Sequence, residues 1–123
     1  MRRPNISGEL VPLVLIPRFS TYTGAHSFYT IAMDVTEYAK AIVNVWRGDL
    51  AGAGTFLISF EESTDQQNWT DCTGGTAADP GADTEAQYTA TITKRWFRAK
   101  VAVTGTDPFV TCWAVGFLEM RLS

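Results

Sequence analysis

Thr55-Phe-Leu-Ile-Ser-Phe-Glu-Glu-Ser-Thr-Asp-Gln-Gln-Asn-Trp69 joins an alternating half to a polar half. Its first half alternates: Phe56, Ile58 and Phe60 fall on one side, Leu57, Ser59 and Glu61 on the other. That period of two is the mark of a strand with one face turned to a core. Its second half is polar, and Ser63, Thr64, Asp65 and Asn68 have side chains able to bond neighbouring backbone groups in a tight turn. Trp69 then returns the chain to the core.

The same alternation recurs on both sides of this segment. Lys40–Arg47 carries Ala41, Val43 and Val45 on one face and Ile42, Asn44 and Trp46 on the other. Arg95–Thr104 places Phe97, Ala99, Val101 and Val103 inward and Trp96, Arg98 and Lys100 outward. Glu85–Thr93 alternates as well, and Phe109–Glu119 is the long final strand. His26–Met33 and Thr70–Thr73 read as further strands, with Phe19–Thr23 a short extension before Gly24 and a single helical turn capped by Asp34 or Thr36. Gly48–Gly54 is expected to close a hairpin between its flanking strands. Gly74–Thr84 reads as a mobile surface loop. No segment holds a helical period. About seven or eight short strands with frequent turns make an all-β chain, a single antiparallel β-sandwich of jelly-roll or Ig-like type.

At the N-terminus, residues 1–9 read as a flexible arm. Leu10–Ile16 is an apolar strand whose Pro12 suits a sheet edge. Residues 1–18 are therefore read as arm plus edge strand and 19–123 as the sandwich. The run is too short, and lacks a cleavage site, for a signal peptide. No stretch reaches the roughly 18 apolar residues of a membrane span. With 123 residues the chain fits one domain. A formal charge of −3 argues against nucleic acid as a partner.

Chemistry is sparse. His26 is the one histidine and has no triad or metal partners in its pattern. Glu61 and Glu62 are adjacent and point to opposite faces, so they do not act as a pair. Either of them with Glu119 would be a weak glycosidase pair. Asp79, Asp83 and Glu85 lack the dense spacing of a calcium loop. Cys72 and Cys112 read as two small buried thiols rather than a disulfide framework. No cofactor or metal is expected, and no enzymatic activity. The aromatic and cationic residues point instead to an interface, where Trp and Arg are enriched. The expected partner-binding set is Leu10, Val11, Leu13, Val14, Leu15, Ile16, Trp46, Trp96 and Arg98. A carbohydrate-binding module using Trp46, Trp96 or Trp113 is the rival from another class.

A family resemblance adds to this. The segments Asp34–Trp46, Phe56–Trp69, Arg95–Val101 and Gly105–Phe117 follow in the order that resembles small phage and prophage virion proteins. That pattern is a Glu-x-Ser-x-Asp-Gly-x-x-Trp turn, an Arg-Tyr-Val-Arg strand, then Gly-Thr-x-Pro and an alternating last strand. Here Gln66 or Gln67 replaces the turn glycine and Trp96-Phe97 the Tyr-Val pair. The resemblance implies a non-enzymatic virion component, of the capsid-decoration (cement) or tail-associated type, with no catalytic residues to carry over. It implies the major capsid protein as partner and a homo-oligomer, a trimer first. The implied location is the capsid surface of a virion, after synthesis in the cytoplasm of a bacterial host. A tail or head–tail joining subunit is the alternative within the virion.

Overall fold

The computed structural model describes residues 9–121. Nine strands follow in order: β1 (Leu10–Thr23), β2 (Ser27–Tyr29), β3 (Met33–Asp34), β4 (Tyr38–Arg47), β5 (Phe56–Ser63), β6 (Thr70–Asp71), β7 (Thr84–Thr91), β8 (Trp96–Val103) and β9 (Phe109–Met120). No helix occurs among the described residues. The strands form two antiparallel sheets. A front sheet runs β1-β9-β4-β7, and a back sheet runs β2-β8-β5-β6 with β3 also on β8. β2 and β3 are two pieces of one course along β8, broken at Thr30–Ala32. The order is therefore that of a double-sheet jelly roll, which settles the choice against an Ig-like strand order.

Six of the eight links between strands cross from one sheet to the other. Gly48–Gly54 is one of them, so the expected hairpin does not form. β4 and β5 lie in different sheets, and their inward sets, Ala41, Val43 and Val45 and Phe56, Ile58 and Phe60, belong to one core. Gly54 is required in that link, because a Cβ there would run into the Thr104 carbonyl. Alternation reveals which side chains point inward, but two strands with one apolar face each look the same whether they pair edge to edge or stack face to face.

The core is filled by the inward faces as read. Phe97, Ala99, Val101 and Val103 are buried, and Phe60 lies parallel to Phe97 with centroids 6.1 Å apart. Each of these Phe and Val side chains contributes about 1.5–3 kcal/mol by leaving water. β1 runs unbroken through residues 10–23, pairing with β9 from Leu10↔Glu119 to Thr23↔Phe109. Its register slips between Val14 and Ile16. This bulge puts one residue more on β1 than on β9 and lets the consecutive Leu15 and Ile16 both bury. The N-terminal arm lies outside the described residues, apart from Glu9.

Three local expectations are corrected. The segment 74–84 is no loose excursion: residues 75–78 extend the cover that β6 gives to the edge of β5. Phe60 N donates to Gly75 O, and Ile58 and Ala78 exchange both backbone bonds at 2.8 and 2.9 Å. Arg47 closes the far end on Asp79 with Nε–Oδ1 at 2.8 Å and Nη2–Oδ2 at 3.0 Å. An open edge of β5 would otherwise leave a row of backbone groups unpaired. Asp34 caps no helix; its Oδ1 accepts from the Thr36 hydroxyl and amide, bracing the turn into β4. Trp69 is only half-buried and lies on the outer face of the back sheet.

Candidate interaction surface

The register of the front sheet sets its outer side chains in rows, because directly paired residues share a face. Leu10, Glu119 and Lys40 form the first row, Pro12, Phe117 and Ile42 the second, and Val14, Val115 and Asn44 the third. Trp113 and Trp46 form the fourth. The second irregularity of β1, between Ile16 and Ser20, brings Arg18 and Phe19 over that last row. Phe19 holds φ at 61°. Its ring meets Trp46 edge-on at 5.9 Å, Trp46 stacks on Trp113 at 6.4 Å, and the Arg18 guanidinium sits 4.3 Å from the Trp113 ring centroid.

The result is a contiguous apolar surface. Leu10 is 46% exposed, Val14 60%, Phe19 68% and Phe117 41%. Between Pro12, Val14, Arg18, Asn44, Val115 and Phe117 it sinks into a depression of about 360 Å³. Its rim is polar: Lys40 pairs with Glu119 at 3.3 Å, and Gln87 donates to Asn44 at 3.2 Å. Large apolar side chains in one rimmed patch are the common form of a protein-binding face.

The outer face of the back sheet is built differently. The Arg98 guanidinium lies 4.1 Å from the Tyr29 ring centroid and 4.0 Å from that of Trp69, while its Nε donates to Glu61 Oε1 at 2.9 Å. Both partners of this ion pair are largely buried by the rings, so the cation is satisfied within the chain. Trp96 stands beside it with the Arg95 guanidinium 5.0 Å away.

The expected partner-binding residues divide three ways. Leu10, Val14 and Trp46 lie on the outer face of the front sheet. Leu13, Leu15 and Ile16 are in the core and unavailable to a partner, and Val11, paired with Leu118, is half-buried on the same inner side. Trp96 and Arg98 sit on the opposite sheet, so they do not share a surface with Trp46. Sequence reasoning omitted Phe19, Ile42 and Val115 from the set. Ile42 and Val115 were available from strand alternation; Phe19 was not, since its position depends on a bulge.

The other candidates are placed as plainly. Glu61 and Glu119 lie on opposite faces of the sandwich. Glu62 points inward, its carboxylate accepting from Thr93 N at 2.7 Å, Thr93 Oγ1 at 2.9 Å and Lys94 N at 3.1 Å. Asp79 is held by Arg47 and by the Gly81 amide, which keep its carboxyl below the usual range. No three His, Cys, Asp or Glu side chains gather at a metal-binding distance among the described residues. Cys72 and Cys112 are free and buried, and burial pushes each thiol up to about 12. Trp113, a candidate sugar platform, is buried under Arg18 and Trp46.

No family model matches the sequence, and no curated protein matches it. Among solved structures, the chain is similar to the infectious bursal disease virus VP2 subviral particle, with a TM-score of 0.61 at 5% identity. That likeness covers 92% of this chain and 32% of VP2, so this chain spans about a third of VP2's length. It is also similar to the SPBc2 prophage-derived protein YomS, with a TM-score of 0.48 at 11% identity over 94% of this chain and 99% of that one. At such identities the likeness is one of fold: this chain shares a two-sheet β architecture with a viral particle protein.

Proposed function

We propose that this chain is a non-enzymatic structural protein of a bacteriophage virion, a decoration protein that docks on the assembled head and reinforces it. The observation that carries the reading is the rimmed apolar face of the front sheet, displayed on a jelly roll. Its partner is the major capsid protein, its location the capsid surface, and its site of synthesis the cytoplasm of a bacterial host. Docking buries Val14, Phe19 and Phe117 at roughly 25 cal/mol per Å² of apolar area, before association costs are subtracted. Many copies on one shell make modest single contacts sufficient. β1 contributes through its outward side chains, not as a detachable strand, since Leu13, Leu15 and Ile16 hold the core.

The test is co-sedimentation of the purified protein with assembled heads of the phage that encodes it. Saturable binding to mature shells, with a trimeric native mass by light scattering, is the expected result. A closed ring of higher order that ignores heads would move the protein to the tail or the head–tail joint. Failure to bind heads, together with a tryptophan fluorescence change on a glycan panel, would replace the reading with carbohydrate binding.

A further inference from the structure

At one end of the sandwich three links and the chain's last described residue converge. Thr36 comes from the β3–β4 turn, Thr64 from the β5–β6 turn, Thr93, Lys94 and Arg95 from the β7–β8 link, and Arg121 follows β9. Together they line an open depression of about 370 Å³. This volume lies at the lower end of small-ligand sites, which span roughly 300–1,000 Å³. Three cations meeting in one hollow are unexpected in a chain of net charge −3.

The hydrogen-bonding inventory says what the hollow can take. Lys94 Nζ is bonded to the Thr70 hydroxyl at 3.0 Å, and Arg121 Nη2 to the Tyr38 carbonyl at 2.8 Å. Neither has a carboxylate in ion-pair range among the described residues. An ammonium has three donors and a guanidinium five, so most of theirs remain open. Arg95 is the paired member, held by Asp34 at 3.1 Å. The hydroxyls of Thr36 and Thr93 are already given to Asp34 and Glu62, so these residues form walls and do not act as donors. Glu62 is buried and its oxygens are occupied by the β7–β8 link.

We infer that this end of the sandwich is a binding site for an oxyanion, a carboxylate or phosphate group on a small ligand, gripped by Lys94 and Arg121 with Arg95 at the rim. Guanidinium and ammonium groups with donors still open favour such groups through charge-assisted bonds. The site is separate from the apolar front face, and the inference does not rest on the capsid reading.

The test is a titration of ¹⁵N-labelled full-length protein with inorganic phosphate and, separately, with citrate at low ionic strength. Saturable amide shifts confined to Thr36, Thr64, Thr93–Arg95 and Arg121 are expected. The Lys94→Gln and Arg121→Gln changes together should weaken binding at least about tenfold, with the unfolding temperature unchanged. Lys100→Gln, on the back sheet's outer face, should leave it intact. Saturation by citrate alone would identify a carboxylate ligand, and by phosphate alone a phosphorylated one. Shifts that do not saturate, or that persist in the double variant, would overturn the inference.

Discussion

Gln66 holds φ at 63°, the left-handed conformation for which the related turn pattern uses glycine. The turn forms without it because Ser63 and Asp65 supply the bonds. Ser63 Oγ accepts from the amides of Asp65 and Gln66, and Asp65 Oδ1 from those of Gln67 and Asn68. Gln66→Gly should relieve the strain of the left-handed backbone while adding unfolded-chain entropy, a net gain of about 0.5 kcal/mol in urea unfolding. The same amides, those of Asn68 and then Gln67, depress the Asp65 carboxyl strongly. A depressed carboxylate stabilises the fold above its unfolded value, near pH 4, and that contribution is lost as pH falls toward the folded value. Asp65→Asn should therefore flatten the decline of the thermal midpoint between pH 4 and 2. The flattening is partial, because Asp34 and Asp79 are depressed as well. The two thiols give a third outcome at this scale. Cys72 and Cys112, each pushed up to about 12, should resist iodoacetamide at pH 8 in the native protein and react fully in urea.

Among the elements, β5 joins fold and polar network most tightly. Glu62 is buried at its end and holds the β7–β8 link by three bonds, two of them from backbone amides. Glu62→Ala should cost about 2 kcal/mol in urea unfolding, since two part-buried amides lose their charged acceptor. Glu62→Gln keeps an oxygen for both amides and an amide for the Thr93 hydroxyl, so it should cost about 1 kcal/mol or less. The sequence showed that Glu61 and Glu62 point opposite ways, which follows from strand geometry. It did not show that both would be buried, one under Trp69 and Tyr29 with Arg98, the other under the β7–β8 link. Apart from Trp69, those covers come from residues more than 30 positions away. The segment 74–84 shows the same limit: glycine, proline and aspartate describe a turn-rich chain but not the strand edge that binds it.

For the whole molecule, the proposed docking turns on which outer face is apolar. The front sheet presents Val14, Phe19, Ile42, Val115 and Phe117; the back sheet's outer ion pair is shielded by rings. Val14→Asp with Phe117→Glu should change the unfolding free energy by no more than about 1 kcal/mol, as two exposed positions do. The same pair should abolish co-sedimentation with heads. If capsid binding survives in a folded double variant, the front face is not the docking surface.

The faces of the long strands were legible in the sequence, since alternate side chains on any extended chain point to opposite sides. Hence the inward sets on β4, β5 and β8 were legible without coordinates, as were the turn at Ser63–Asn68 and the outward Trp46, Trp96 and Arg98. Which strands pair and which stack is settled only when the sheets close on each other. An apolar face specifies burial but not the surface that buries it. That choice turned Gly48–Gly54 into a crossover between sheets, drew Leu13, Leu15 and Ile16 into the core, and set Trp46 and Trp96 on opposite sides of the sandwich. The convergence of Lys94, Arg95 and Arg121 has the same origin: their links meet only when the two sheets close over one core.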